Sequence, residues 1–215
     1  MDATDFNITY VRLVIPWGAV EIESGKFSWD AQPIRRIEQS LAKGIRVIPV
    51  IRTVGADWAI KTPSQSCSSP PKDLGNIFSE DYGYSKSYYN FISEVAKRYK
   101  GKFPIVVIEN EVTAENFWCG DMGEYLHLVA TAKKAFQDVD PDVKIADSGI
   151  PSGVWGMVMA KELIEQGKEK EAFDFYSDYF SQSYIRKAGS IEELKDILER
   201  NPAKKNIMLG IHTLI

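Results

Sequence analysis

Short runs of β-branched and aliphatic residues, VRLVIPW (11 to 17), IRVIPVI (45 to 51) and IVVIENE (105 to 111), alternate with stretches whose apolar residues recur at helical spacing. This alternation constrains the fold most. The apolar runs are near-continuous rather than alternating with polar residues, as in parallel strands covered on both faces. The helices between them have legible ends. Asp30 is placed to cap a helix carrying Ile34, Ile37 and Leu41, which Gly44 stops. Tyr88, Phe91, Ile92 and Val95 mark a helix over Ser87 to Tyr99, and Asp121 opens another that runs to the Asp140-Pro141-Asp142 turn. Val143 to Ala146 returns as a strand, a weaker helix covers about Gly156 to Gln166, and Phe173 to Ser177 reads as a further strand. Ser190 and Glu193 form a capping box for a helix through Leu198, and Ile207 to Ile211 closes the series.

Six strand candidates separated by helices predict an α/β architecture in one domain over residues 1 to 215. It is either a doubly wound open sheet or a (β/α)8 TIM-type barrel, and the barrel would be partial, with about six βα units. Both folds gather function at the carboxyl ends of the strands, where Trp17, Arg52, Asn110, Glu111, Asp147, Ser148 and Tyr179 are expected. The long Ser-, Pro- and Gly-rich segment from about Thr53 to Tyr84 leaves the same face.

Several functions are disfavoured. With 26 basic and 30 acidic residues, net charge -4, the chain offers no basic surface to phosphate, so nucleic acid is not an expected partner. No strand is followed by GxGxxG or GxxxxGK[ST], which removes the usual nucleotide cradles. No apolar run approaches the length of a bilayer span, so no membrane association is expected. Two histidines without paired ligand spacing give no reason to expect a metal, and no organic cofactor is expected. Cys67 and Cys119 are the two cysteines; they read either as unlinked thiols or as a disulfide between loops on one face, the latter implying an oxidising compartment.

Glu111 ends an apolar strand close to other acids and to aromatic loops, a setting in which desolvation raises a carboxyl pKa and suits it to donate a proton to a glycosidic oxygen. Asn110 offers an amide to a sugar hydroxyl, and Trp17, Trp58, Phe117, Trp118 and Trp155 offer flat faces for sugar C–H groups. Glu109 is expected to pair with an interior arginine rather than do chemistry, and Arg12, inside the first strand, is expected to need an acidic partner.

Asn110-Glu111 at a strand end resembles the acid/base motif of the clan of retaining (β/α)8-barrel glycoside hydrolases that includes β-galactosidases, β-xylosidases and cellulases. VRLVIPWGAVEIESGKFSWD resembles the clan's second strand and loop, GIRVIPVIRT the third strand, IVVIENE the fourth and DPDVKIADSG the fifth, together covering about residues 8 to 150. The resemblance implies a retaining O-glycosyl hydrolase acting on carbohydrate. Glu111 would be the acid/base, Asn110 the ligand of the sugar 2-hydroxyl and Arg12 a support for the nucleophile, with Trp17, Trp58, Trp118, Trp155 and Tyr179 as substrate contacts. There are departures. Tyr179 and Phe180 stand where the sixth strand often has a His followed by a Tyr. NIMLGIHTLI resembles the seventh strand but carries Ile211 and His212 where a nucleophilic glutamate is expected. The resemblance therefore implies an incomplete barrel with little activity alone, or else a non-catalytic carbohydrate-binding remnant. Compartment is left open, because a signal peptide could precede Met1 in a longer parent.

Overall fold

The computed structural model describes residues 8–63, 67–75, 84–113, 117–149, 152–181 and 187–200. The chain divides into two compact units, Met1–Gly149 and Ile150–Ile215.

In the first unit four parallel strands, β1 (Tyr10–Pro16), β4 (Arg46–Arg52), β5 (Ile105–Ile108) and β6 (Lys144–Ala146), lie side by side in chain order. Helices α2 (Gln32–Ala42), α3 (Lys86–Arg98) and α4 (Met122–Val139) connect successive strands, while a one-turn helix α1 (Trp17–Val20) and a hairpin of β2 (Glu21–Glu23) and β3 (Lys26–Phe27) follow β1. Sequential order with no reversal is the winding of a barrel wall, whereas a doubly wound sheet reverses direction at a switch point. The core agrees. Ile15, Val47, Ile51, Val106 and Ile108 face a common cluster with Ile34 and Ile37 of α2, Phe91 and Val95 of α3, and Leu128 and Phe136 of α4, so the three helices cover one face of the sheet. Tyr10 and Val14, on the opposite face of β1, are 45% and 40% exposed.

Local chemistry sets the joints. Asp121 caps α4 through a complete capping box, accepting from the Glu124 N–H at 2.8 Å while the Glu124 carboxylate accepts from the Asp121 N–H at 2.8 Å. Ser85 caps α3 by accepting from the Tyr88 N–H at 3.0 Å. The start of α2 departs from expectation: Ala31, not Asp30, is the N-cap, without a side-chain bond. Asp30 stands one residue too early, and Pro33 within the first turn removes one of the N–H groups that a cap would serve. Gly18 is required by close approach, since a Cβ there would lie 1.9 Å from the Gly55 carbonyl oxygen; its N–H donates to Val54 O at 3.1 Å and docks the end of β1 on the loop after β4.

The second unit contains α5 (Ser152–Glu165), α6 (Glu169–Tyr179) and α7 (Ile191–Arg200) around a small core of Ala160, Ala172, Tyr176, Leu194 and Leu198. The expected strand over Phe173 to Ser177 is part of α6. Ala172, Tyr176 and Phe180 are buried at a spacing of four, and Lys170 pairs with Asp174 at 2.6 Å one turn on, which is helical order. The expected strand over Ile207 to Ile211, with His212, lies outside the described residues. Among the described residues, no helix is long and apolar enough to cross a membrane.

Candidate active site

At the carboxyl ends of β4, β5 and β6 the chain is tied into a rim by short polar contacts. The β5 ladder stops at Ile108, short of the expected strand end at Glu111, and the next residues turn sharply: Glu109 has φ 63° and Glu111 φ 45°. Left-handed backbone at a side-chain-bearing residue costs of order 1–3 kcal/mol and persists only where the surroundings enforce it. Here they do. The Glu109 N–H donates to Ile51 O at 2.9 Å, and the Glu111 N–H donates to Ser148 O at 2.9 Å, so the turn is bonded to the ends of both neighbouring strands. Ser148 Oγ accepts from the Val112 N–H at 3.3 Å. The Tyr125 hydroxyl, on α4, donates to Ile108 O at 3.1 Å and accepts from the Ser148 N–H at 2.8 Å. Burial pushes its pKa up, which keeps it a donor.

The turn sends its side chains to different places. Glu109 is fully buried; its Oε1 accepts from the Thr53 N–H at 2.6 Å and its Oε2 lies 3.6 Å from Arg52 Nε. An interior arginine is therefore its partner, as its position in the sequence suggested. Burial raises its pKa, against the opposing pull of Ser68, Thr53 and the Arg52 charge. Asn110 is half-buried, and its Oδ1 accepts from Arg12 Nη1 at 3.0 Å. Arg12 departs from expectation. It is exposed on the open face of β1 rather than buried, and its described partner is this amide rather than an acid; a guanidinium in water does not require a carboxylate. Glu111 is half-buried.

The wall beside this turn is made by two loops. Cys67 and Cys119 form a disulfide with Cα atoms 5.7 Å apart, deciding between the two readings of the cysteines. Around it the Ser68 N–H donates to Phe117 O and the Cys119 N–H to Ser68 O, both at 2.8 Å. Arg52 reaches into this clamp. Its Nε donates to Ser68 Oγ at 3.2 Å, and its guanidinium lies 5.5 Å from the centre of the Phe117 ring.

Structure and sequence expectation part over the aromatic residues. Trp17 is fully buried, stacked 5.3 Å from Phe91, with Nε1 donating to Glu21 Oε2 at 2.7 Å; Trp118 is 3% exposed and donates to Asp121 O. Neither offers a face to a sugar, because each indole is large enough to gain more from the core and each has found an N–H acceptor there. Trp58 is half-buried and lines a groove with Phe27 and α3, donating to Glu21 O at 3.2 Å. No described contact joins it to Asn110 or Glu111. Trp155 falls in α5 with its side chain outside those described, and Tyr179 is 39% exposed on α6 of the second unit. The contacts join Arg12 to Asn110, Arg52 to Glu109 and Ser148 to Glu111, while Trp17 lies in the core and Trp118 packs edge-on against Tyr125 at 6.1 Å. Ser148 stands at the rim, as its position after a strand suggests; Tyr125 is the positioning residue that the sequence shows least, although a tyrosine on an apolar helix face signals a hydroxyl in need of a partner. Among the described residues no group of three or more His, Cys, Asp or Glu could hold a metal ion.

No protein-family model and no curated protein matches the sequence. Among solved structures, a family 39 glycoside hydrolase from the gut symbiont Bacteroides cellulosilyticus WH2 matches 78% of this chain and 31% of its own, with a TM-score of 0.50 and 19% identity. The likeness is to part of a (β/α) barrel and agrees with the α/β fold and parallel sheet described above. An exo-β-1,4-mannosidase, Op5Man5 from Opitutaceae bacterium strain TAV5, matches 67% of this chain and 26% of its own, with a TM-score of 0.44 and 17% identity. The chain spans about a third of the length of the family 39 protein. The likeness to the family 39 protein is consistent with the clan that the sequence resembles, and it is one of fold.

Proposed function

We propose that the rim formed by Arg12, Asn110 and Glu111 belongs to a retaining glycoside hydrolase site, with Glu111 as the acid/base. The observation that carries this reading is the contact between Arg12 and Asn110 beside a half-buried glutamate, at the carboxyl ends of parallel strands. Arg12 occupies Asn110 Oδ1, which leaves the two Nδ2 hydrogens to donate to a sugar hydroxyl; among the described residues Nδ2 makes no hydrogen bond. Glu111, on the next residue of a backbone turn fixed at both ends, is within reach of the same sugar ring. Its carboxyl donates a proton to the departing glycosidic oxygen and, as carboxylate, takes one from water in the second step.

Retention requires a second carboxylate about 5–5.5 Å from the first. Glu109 does not fit, because it is fully buried and engaged with Thr53 and Arg52, so no anomeric carbon can reach it. In this reading the nucleophile comes from outside the described residues, and the disulfide-clamped loops form one wall of the site. The disulfide also favours an oxidising, extracytoplasmic compartment.

Sugar binding at the rim is tested by titrating a 15N-labelled chain with neutral disaccharides while following the Asn110 side-chain amide. Saturable shifts of that amide, with an affinity that Arg12→Ala lowers, are the expected result. An Asn110 amide unmoved by every sugar contradicts the proposal.

A further inference from the structure

A second concavity lies away from the Asn110–Glu111 turn, between the β2–β3 hairpin, the Trp58 loop, the outward side of α3 and the last turn of α4. Its volume is about 520 Å³, within the roughly 300–1,000 Å³ range of small-molecule sites. Three half-buried aromatic side chains, Phe27, Trp58 and Tyr89, line it together with Asn90 and Ser93 on one face of α3. The aromatic rings are held before any ligand arrives. The Trp58 indole donates to Glu21 O at 3.2 Å and meets Trp17 edge-on at 5.7 Å, and the Tyr89 hydroxyl donates to Asp138 Oδ2 at 2.6 Å. One polar group is open to the groove. The Asn90 side-chain amide is exposed there and makes no hydrogen bond among the described residues, whereas Ser93 is more than nine-tenths buried and its Oγ lies beyond a ligand's reach. An amide offers both donors and an acceptor to a ligand hydroxyl.

The charges decide the class of ligand. Three acids border the groove, so an anion is disfavoured. None of the three is free for a cation. Glu94 pairs with Lys97 at 2.6 Å, Asp138 pairs with Lys134 at 2.5 Å, and both Glu21 oxygens are taken, by the Trp17 indole at 2.7 Å and the Gly25 N–H at 2.8 Å. What remains is flat aromatic surface beside uncharged donors and acceptors, which suits a molecule with an apolar C–H face and a rim of neutral hydroxyls. We propose that this groove is a second, non-catalytic binding site for a neutral saccharide, built by Phe27, Trp58, Tyr89 and Asn90 and independent of the Asn110–Glu111 rim.

The test titrates the 15N-labelled chain with cellobiose, maltose and lactose, and separately with choline chloride and sodium phosphate. Saturable shifts of the Asn90 side-chain amide and the Trp58 indole N–H with at least one disaccharide are expected, with no response to phosphate. Asn90→Ala, which favours the helix, should weaken that binding about three- to tenfold, the effect of one hydrogen bond, whereas Ser93→Ala, whose hydroxyl no ligand reaches, should not. Asn110→Ala should leave it unchanged, so loss of the rim reading and loss of this one are separable. Disaccharide binding that ignores Asn90→Ala, shifts confined to the rim, or a response to choline in preference to sugars would each overturn the proposal.

Discussion

Arg12 Nη1 donates to Asn110 Oδ1 at 3.0 Å across 98 residues of sequence, from β1 to the end of β5 with β4 between them. The contact is exposed, so Arg12→Ala should cost at most about 1 kcal/mol of stability, as one hydrogen bond in water does. Its larger effect should be on the amide it holds. A freed Asn110 can flip, and saccharide affinity at the rim should fall about tenfold while the melting temperature moves little. Thermal unfolding and titration of the same variant check both halves.

Glu109 gives a pH dependence of definite sign. Its folded pKa is raised above the ordinary value of 4.5, chiefly by burial. The native state therefore holds the proton more tightly than the unfolded chain does. The contribution is full below about pH 4.5 and is lost as the pH rises through the folded value. Urea midpoints between pH 4 and pH 7 should fall for the wild type relative to Glu109→Gln, which cannot titrate. Parallel curves would contradict the assignment. Glu109→Ala, which strands the Thr53 N–H and removes the carboxyl partner of Arg52, should destabilise throughout this range, by about 3 kcal/mol at its acid end and by less as the pH rises.

The Cys67–Cys119 bridge closes a loop of sequence separation 52, for which the chain-entropy account gives about 4 kcal/mol. Cys67→Ser with Cys119→Ser should lower stability by about that amount. The double variant should also broaden the Arg52 and Ser68 resonances, since those residues hold the two loops together across the bridge. Thiol titration of the unfolded wild type without reductant should find no free thiol from these two residues.

Much of the first unit is legible in the sequence because its signals are local. The capping pair Asp121 and Glu124, three residues apart, and the apolar spacing of α3 and α4 are read within one turn of chain. The failures come where two local patterns coincide or where distance matters. Phe173 to Ser177 is short enough to fit either period, and the helix is settled by Ala172 and Phe180 on either side. Asp30 and Ala31 differ by one residue, which a cap resolves only when its side chain can reach the first turn. Trp17 looks like a rim residue because it ends a strand; the sign of its burial is Glu21, four residues on, which accepts its indole N–H. The contacts of Glu109 with Thr53 and of Tyr125 with Ser148 span 56 and 23 residues, and no local pattern encodes them.

The central claim is that Glu111 donates the proton to the departing oxygen, and the dependence of rate on leaving group tests it most directly. Aryl glycosides of graded phenol acidity would be assayed with the complete gene product, comparing wild type with Glu111→Gln. A leaving group such as dinitrophenolate needs no proton, so kcat/KM of the variant, which reports the first step, should stay within about tenfold for it, while kcat/KM for alkyl and unsubstituted phenyl glycosides should fall about 10²- to 10⁴-fold. Equal loss across the series, or no loss at all, would contradict the account.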